Sequence, residues 1–337
     1  MLTAAVRDLH RCYPGRFITD VRTEYPELWE NNPYLTPLEP DDPEVRVVEC
    51  HYPMIQSSNL RPVHFVHGFI EYLNEQLGLQ IRPTRLAGGI HLSEQERSAP
   101  SPVAQILGAH VPYWLVAAGG KFDFTIKWWH FRRWQAVVDA FRDRMLFVQV
   151  GATEHYHPAL KGVLDLRGRT SLRDLVRLVY HAEGVLCPVT LLMHLAAAVE
   201  PQPGGPPVRP CVVVAGGREP PSWEAYPGHR FIHTIGRLPC CAKGGCWRAR
   251  SVPLGDGDEK DDPKYLCVDV VNNLPRCMDL ITPEHVLAAI DSYLEPPTTE
   301  PRQGARTTRS NEIPGSPNEA VFAGASGTCQ TRPIPIC

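Results

Sequence analysis

The chain has 337 residues, of which 43% are apolar and 8% aromatic, enough to build two cores of ordinary size. Its 34 basic and 37 acidic residues give a formal charge of −3. The sequence therefore has no broad basic field, and neither nucleic acid nor an anionic membrane surface is a favoured partner. No charged segment followed by a signal-peptide-like apolar stretch opens the sequence, which favours a cytoplasmic protein.

The first third of the chain reads as an α/β unit. Helical patterns cover Ala4–Cys12 and His64–Leu77, and strand-like patterns cover "FITDVRT" from Phe17 and "EVRVVEC" from Glu44. The segment Ser98–Gly108, "SAPSPVAQILG", predicts a linker to a second domain.

Strand and helix patterns alternate between residues 112 and 236. Such alternation is typical of right-handed crossovers and predicts a parallel sheet covered on both faces. One helix is well marked, because Ser171 and Asp174 have capping-box spacing and Gly184 follows as the expected stop. A further helix is predicted from Thr282 as N-cap and Pro283 as the first helical residue.

The apolar stretch "LCPVTLLMHLAAAV" is interrupted by Pro188, Thr190 and His194. It is too short and too polar to span a bilayer, which needs about 20 apolar residues. We therefore expect a buried strand that ends at Cys187 and a helix that starts near Thr190. His194 lies four residues after Thr190 on the same helical face, so either a ligand-facing role or a place in the core fits it.

Two Gly-Gly turns, each followed by a cation, stand at strand ends of the predicted sheet. They are Gly119-Gly120-Lys121 and the turn that leads to Arg218. Ligands of an open parallel sheet bind beyond the carboxyl ends of its strands, and glycine lets the backbone approach a phosphate closely. The alternative for each pair is a simple turn.

Four segments, in order, resemble glycosyltransferase family 9, the ADP-heptose-dependent heptosyltransferases, over about residues 1–294. They are "TAAVRDLHRCYPGRFITDV", "KWWHFRRW", "DLRGRTSLRDLVRLVYHAEGVL" and "MHLAAAV". The resemblance implies two Rossmann-like domains in a B-type glycosyltransferase fold. Residues 1–108 would be the acceptor-side domain, 109–294 the nucleotide-sugar domain with a cysteine-rich insert at about 238–278, and 295–337 a disordered tail rich in Pro, Ser and Thr.

The resemblance also implies how a donor, ADP-heptose, is bound without a catalytic metal. Lys127 matches the lysine of a Lys-x-Trp element and would stabilise the leaving diphosphate. The other residues expected at the donor site are Gly119, Gly120, Lys121, Glu154, Thr190 and His194, with Glu154 expected at the ribose. Each lysine or glutamate has solvated surface charge as its alternative.

The donor turn departs from the family pattern. The usual Asp-Thr-Gly-Pro-Met-His is Val189-Thr190-Leu191-Leu192-Met193-His194 here, so the aspartate and the glycine are absent. That variant and the cysteine-rich insert are more similar to the autotransporter O-heptosyltransferases than to the lipopolysaccharide core enzymes. The acceptor expected first is Ser or Thr of an autotransporter adhesin. The alternatives are a lipopolysaccharide core acceptor, a catalytically dead donor-binding relative, and a sugar-nucleotide epimerase of similar fold.

The general base that the resemblance implies is an aspartate at the end of the first strand, just before the first helix. In this sequence the helix begins almost at Met1, so that aspartate and its strand are missing and no catalytic residue is assigned. Asp8 and Asp20 are poor substitutes, because neither is expected at the rim of the sheet where the acceptor hydroxyl must lie. The sequence predicts a natural start upstream of Met1, with a truncated or inactive product as the alternative.

The chain contains eleven cysteines, several of them clustered near the end of the second domain. In a large cytoplasmic chain such clusters indicate thiols or a metal and not disulfides. We expect one structural Zn or Fe site, with free buried thiols as the alternative. Its ligands would be Cys241, Cys246, Cys267 and Cys277, with Cys240 able to replace Cys241. Such a site could serve to dock the acceptor or a second subunit in a homo-oligomer.

Overall fold

A computed structural model describes residues 1–39, 42–50, 57–294 and the backbone of 334–336. The helices are α1 Leu2–Cys12, α2 Phe65–Leu77, α3 Glu94–Ser98, α4 Pro102–Leu107, α5 Phe131–Ala140, α6 Leu172–His181, α7 Leu191–Ala198, α8 Pro221–Glu224, α9 Arg276–Asp279 and α10 Pro283–Leu294. The strands are β1 Phe17–Thr19, β2 Tyr113–Val116, β3 Leu146–Gln149, β4 Leu164–Asp165, β5 Gly184–Pro188, β6 Cys211–Gly216, β7 Arg230–His233, β8 Val270–Val271, β9 Leu274–Pro275 and β10 Ile334–Ile336. Six short 3₁₀ helices connect them, at Pro26–Leu28, Ser57–Asn59, Phe122–Lys127, Pro239–Cys241, Glu259–Asp261 and Pro263–Tyr265.

The main sheet has six strands in the order β4-β3-β2-β5-β6-β7, and every neighbouring pair is parallel. This confirms the predicted parallel sheet. Its central strands are fully buried because helices cover both faces. Side chains of α4, α6 and α7 pack on one face, and those of α5, α9 and α10 pack on the other. The reversal of strand order between β2 and β5 opens a crevice at the carboxyl ends, the usual ligand position in such sheets.

Helix α6 begins as its sequence predicted, with a complete capping box formed by Ser171 and Asp174. The predicted end is wrong. The C-cap is Ala182, and Gly184 is the first residue of β5. A side chain on Gly184 would lie 2.2 Å from the indole of Trp114 on the adjacent strand. This glycine therefore serves close packing inside the sheet.

A second, smaller core surrounds α1 and α2, and Ile81, together with Trp223 of α8, also belongs to it. The sequence predicts that the amino-terminal unit lacks its first strand. In the structure, its strand β1 pairs in parallel with β10. The strand predicted at Glu44–Cys50 is wrong, because among the described residues this segment contains only an isolated bridge position at Arg46 and no strand. The segment runs along α2 instead, where Arg46 donates to the Gln76 carbonyl and the Tyr72 hydroxyl donates to the Glu49 carbonyl.

The predicted linker is largely helical, since α4 lies within it and α3 ends at its first residue. Val103 of α4 is fully buried in the core of the main sheet. Two ion pairs bind this region to the sheet domain, Arg173 with Glu96 at 2.5 Å and Arg97 with Glu200 at 2.8 Å. The division at residue 108 stays a prediction. Most of the predicted disordered tail, 295–333 and 337, lies outside the described residues.

Across the described ranges, no helix has both the length and the apolar character needed to cross a membrane.

Candidate functional site

The turns predicted to bind a ligand lie at the carboxyl edge of the main sheet, which is called the rim below. Strands β3, β2, β5 and β6 are neighbours, so the turns that follow them meet at one edge. The turn after β2 carries Lys121 and leads to Lys127, and the turn after β3 carries Glu154. Thr190 follows β5 as the N-cap of α7, and Arg218 follows β6. The sheet therefore places the turns with predicted donor residues from three strands along one edge.

The first Gly-Gly turn has a packing role. At Gly119, where φ is +103°, a side chain would lie 2.0 Å from the Tyr156 carbonyl oxygen. The Gly120 N–H donates to that same carbonyl at 2.8 Å, and the Tyr156 N–H donates back to Gly120 at 3.1 Å. The glycines thus join the turns after β2 and β3. The side chain that follows them, Lys121, is exposed.

Lys127 ends a 3₁₀ helix, and its ammonium group is directed into the protein. Its Nζ lies 3.0 Å from Oε2 of Glu219, and only 18% of the lysine side chain is exposed. The Arg218 guanidinium contacts the other oxygen of the same carboxylate. Burial, reinforced by Arg218, lowers the pKa of Lys127 to about 7, while Glu224 opposes that shift. Two cations therefore share one buried carboxylate at the rim.

His194 is partly exposed and has a polar partner on each side. Nδ1 lies 3.0 Å from the Tyr226 hydroxyl, and Nε2 lies 3.6 Å from Oε2 of Glu224. Burial, followed by the charges of the Met1 amino group and Lys127, holds the pKa of His194 well below 6.5. The imidazole is therefore neutral at pH 7.

Two polar atoms around this cluster make no hydrogen bond within the described residues although they are buried. They are Oγ1 of Thr190 and Oε1 of Glu224. Buried polar atoms are normally paired, and an unpaired one costs about 1–3 kcal/mol. Burial also raises the pKa of Glu224. A concentration of such atoms at one rim is what a ligand site with hydroxyl and phosphate contacts requires.

The amino-terminal unit closes one side of the cluster. The Tyr226 hydroxyl donates to the Met1 sulphur at 2.9 Å, and the His64 ring lies 5.4 Å from the Tyr226 ring. Nδ1 of His64 accepts the Val66 N–H at the start of α2. Burial lowers the pKa of His64 to about 4, so its ring is also neutral at pH 7. The candidate site therefore lies between the two parts of the chain.

Glu154 stands apart from this buried cluster. Its side chain is 69% exposed, and it lies 3.9 Å from Nε2 of His155. His157 is turned inward, with Nδ1 3.0 Å from the Ala118 carbonyl oxygen. Glu154 is thus free to meet a ligand only at the outer edge of the rim, and its predicted contact with ribose stays a prediction.

The two amino-terminal aspartates considered as general bases are engaged in other ion pairs and hydrogen bonds. Asp8 is completely buried and pairs with Arg7 at 2.9 Å, and it accepts hydrogen bonds from the backbone and hydroxyl of Thr84. Asp20 accepts the N–H groups of Val21 and Leu38. Neither carboxylate lies at the rim, as the sequence predicts.

Within the described ranges, no three His, Cys, Asp or Glu side chains are arranged to hold a metal ion. The Cys241 thiol donates to the carbonyls of Thr234 and Leu238, both at 3.5 Å. The thiols of the insert are close to one another. The Cys241 and Cys246 thiols raise the pKa of Cys240, and the thiols of Cys246, Cys267 and Cys240 raise the pKa of Cys277. A side chain on Gly217 would lie 3.2 Å from Cβ of Cys277 and 3.3 Å from Sγ of Cys241, so both cysteines face the same glycine. Burial is the main cause of each shift, and it raises the pKa of Cys277 to about 12.

The cysteine-rich insert is joined to the donor rim through its backbone. The Cys246 N–H donates to the Gly217 carbonyl and the Trp247 N–H to the Arg218 carbonyl, both at 3.2 Å. The Asn59 side chain from the amino-terminal unit binds both backbone groups of Gly245 at 2.8 Å. The insert therefore fixes the segment that carries Arg218 and Glu219.

Sequence reasoning missed Glu219, Glu224, Tyr226 and His64. The available signal was the segment "GGREPPSWEAY", in which two glutamates follow a strand end directly and so fall on the predicted rim. Nothing in that segment shows that its glutamates turn inward.

Comparison with known proteins agrees with this architecture. Residues 61–203 match the sequence profile of glycosyltransferase family 9 (heptosyltransferase). A family 9 glycosyltransferase from Veillonella parvula DSM 2008 superposes with a TM-score of 0.57 at 14% identity, covering 87% of this chain and 92% of that one. The ADP-heptose lipopolysaccharide heptosyltransferase II of E. coli gives 0.53 at 14% identity, covering 87% and 93%.

The iron-containing dodecameric heptosyltransferase TibC of E. coli is 21% identical over 69% of this chain and 54% of its own. Its TM-score of 0.44 is too low to support an argument. No functionally curated protein matches the chain.

The architecture is that of the B-type glycosyltransferases. The segment that matches the family 9 glycosyltransferases, residues 61–203, contains Lys127, Glu154, Thr190 and His194.

Proposed function

We propose that the protein is an inverting glycosyltransferase that moves heptose from ADP-heptose to a hydroxyl acceptor. The observation that carries this proposal is the buried cation cluster at the carboxyl edge of the sheet, to which the segment matched to family 9 contributes Lys127. Lys127 lies there with Arg218, both on one carboxylate. A cleft with preorganised positive charge suits a leaving group whose negative charge grows in the transition state.

The remaining polar groups suit the other parts of a nucleotide sugar. The neutral imidazole of His194 and the unpaired Thr190 hydroxyl lie at the turn after β5, next to the strand end that leads to Lys127. They are placed to hydrogen-bond the diphosphate or the sugar. The exposed carboxylate of Glu154, at the outer edge, is available to accept from ribose hydroxyls. The predicted contacts of Gly119, Gly120 and Lys121 with phosphate would extend the same edge.

For the acceptor we propose Ser or Thr of an autotransporter adhesin, with a lipopolysaccharide core sugar as the alternative. The support is the sequence pattern of the donor turn at residues 189–194 together with the cysteine-rich insert. We also propose that the protein is cytoplasmic and that it forms a homo-oligomer.

Release of ADP distinguishes transfer from binding without catalysis. The enzyme should release ADP from ADP-heptose only when an acceptor is present, whereas a catalytically dead relative would bind the donor and release none. An epimerase would convert the sugar nucleotide without any acceptor and without ADP release. The general base is not assigned, so the measured pH profile of this release is also the way to find it.

We further propose that the cysteine-rich insert holds one structural Zn or Fe ion. The closeness of these thiols to one another supports this, with Cys246, Cys267 and Cys277 as three ligands and Cys241 or Cys240 as the fourth. A four-thiolate site would deprotonate these thiols despite their burial. Its effect on the donor site would be to fix the backbone that carries Arg218.

Elemental analysis of protein purified without oxygen should therefore find about one equivalent of Zn or Fe per chain. Cys246→Ser should remove most of it, and Cys12→Ser, a matched change at a half-buried thiol of α1, should leave it in place. Less than a tenth of an equivalent in the unsubstituted protein would contradict the proposal.

A further inference from the structure

Glu219 lies between the two cations of the rim. One carboxylate oxygen is 3.0 Å from Nζ of Lys127, and the other contacts the Arg218 guanidinium. The exposed fractions of the three side chains are 18% for Lys127, 7% for Glu219 and 10% for Arg218. The carboxylate is thus the direct neighbour of both groups that would meet a diphosphate.

The position of Glu219 is set by main-chain contacts. Gly217 and Arg218, the residues before it, accept backbone hydrogen bonds from the cysteine-rich insert. The backbone of Gly245 packs so closely there that a side chain on it would lie 2.2 Å from the Arg218 carbonyl oxygen. Pro220, the N-cap of α8, follows Glu219 and restricts its backbone further. A flexible lysine therefore meets a carboxylate that is held in place.

We propose that Glu219 is a positioning residue of the donor site, which holds Lys127 and Arg218 side by side and charged for the diphosphate. The inference rests on the proposed function, because it assumes that the ligand is a nucleoside diphosphate sugar. The opposite reading is that Glu219 occupies the diphosphate position and competes with the donor for Lys127.

The two readings differ in their pH dependence. Burial lowers the pKa of Lys127 to about 7, and Arg218 acts in the same direction. Glu224 opposes the shift, and the neighbouring imidazole of His194 is neutral. Removing the charge of Glu219 must lower the pKa of this lysine further, since an opposite charge within about 4 Å favours the charged form. With a pKa of about 7, about a tenth of the Lys127 side chains are charged at pH 8; a pKa about one unit lower would reduce the charged fraction about tenfold at pH 8 and by less than about twofold at pH 6.

The test is calorimetric titration with ADP between pH 6 and pH 9. For Glu219→Gln we expect near-unchanged affinity at pH 6 and a loss of about tenfold at pH 8, which corresponds to one pKa unit. Glu183→Gln, a matched change at an exposed glutamate, should follow the unsubstituted protein. Adding Lys127→Arg to Glu219→Gln should abolish the loss at pH 8, because arginine stays charged.

Tighter ADP binding by Glu219→Gln at pH 8 would show competition and overturn the inference. An equal loss at pH 6 and pH 8 would overturn it as well, because it would show a general disturbance of the site. If Glu219→Gln does not fold, Glu219→Asp serves in its place. This variant keeps the charge, so we expect it to show the pH profile of the unsubstituted protein. A loss of ADP affinity of about tenfold at both pH 6 and pH 8 would contradict the positioning role. Failure of the unsubstituted protein to bind ADP at any pH would instead contradict the proposed function.

Discussion

Lys127→Ala is expected to lower the rate of heptose transfer by about 100-fold or more while leaving the fold intact. The loss follows from removing one preorganised positive group at the leaving diphosphate, where such groups contribute about 10²–10³ in rate. The substitution should lower kcat more than it raises KM, because the charge is needed most as ADP departs. Initial rates of ADP release, together with the melting temperature, provide the measurement.

Lys161→Ala, a change at an exposed lysine outside the cluster, is the matched control and should change neither quantity. An unchanged rate in Lys127→Ala together with a lower melting temperature would show that Lys127 serves the fold. The buried Glu219 carboxylate would then keep only Arg218 as its cation, and the loss of stability would report the lost pair with Lys127.

Gly184→Ala should destabilise the sheet domain by about 2 kcal/mol, as overpacking of a tight core does. The added methyl would lie 2.2–2.5 Å from three atoms of the Trp114 indole, which is itself only 1% exposed. The ring has little room to move, because it packs in the core beneath α5 and α10. Urea unfolding and thermal melting measure the effect.

Trp114→Phe offers a compensating change, since the smaller ring vacates space next to β5. The double variant should lose less stability than the two single losses added together, which a double-mutant cycle detects. Strict additivity would show that the indole is not what excludes a side chain at Gly184.

The sheet domain could be predicted from its sequence because its signals are local. Apolar runs of strand length alternate with amphipathic helices, and the capping box of α6 is formed by Ser171 and Asp174 alone. The order of the strands then brings their carboxyl ends together, so the turns that lead to Lys127 and His194 meet at one edge of the sheet.

The residues that complete the site could not be found in this way. Glu219 and Glu224 follow β6, and their inward orientation depends on the insert that packs against Gly217 and Arg218. That contact joins positions about 30 residues apart, and no local pattern encodes it. The predicted end of α6 was wrong for a related reason. Gly184 is required for close packing against Trp114 on another strand and does not terminate the helix before it.

The amino-terminal unit shows where an alternating sequence pattern fails to predict a strand. Residues 44–50 alternate as a strand would, yet Val47 is 70% exposed and the segment pairs with side chains of α2. An alternating pattern predicts a strand only where another strand is available to pair with it.

The measurement that tests the central claim most directly is intact-mass analysis of a candidate autotransporter passenger after incubation with the protein and ADP-heptose. The account predicts that the passenger gains the mass of whole heptosyl units and that an equal amount of ADP is released. Lys127→Ala should give almost none of this product in the same time. If ADP-heptose is neither bound nor consumed by the intact chain with any hydroxyl acceptor, protein or lipopolysaccharide core, the account is wrong.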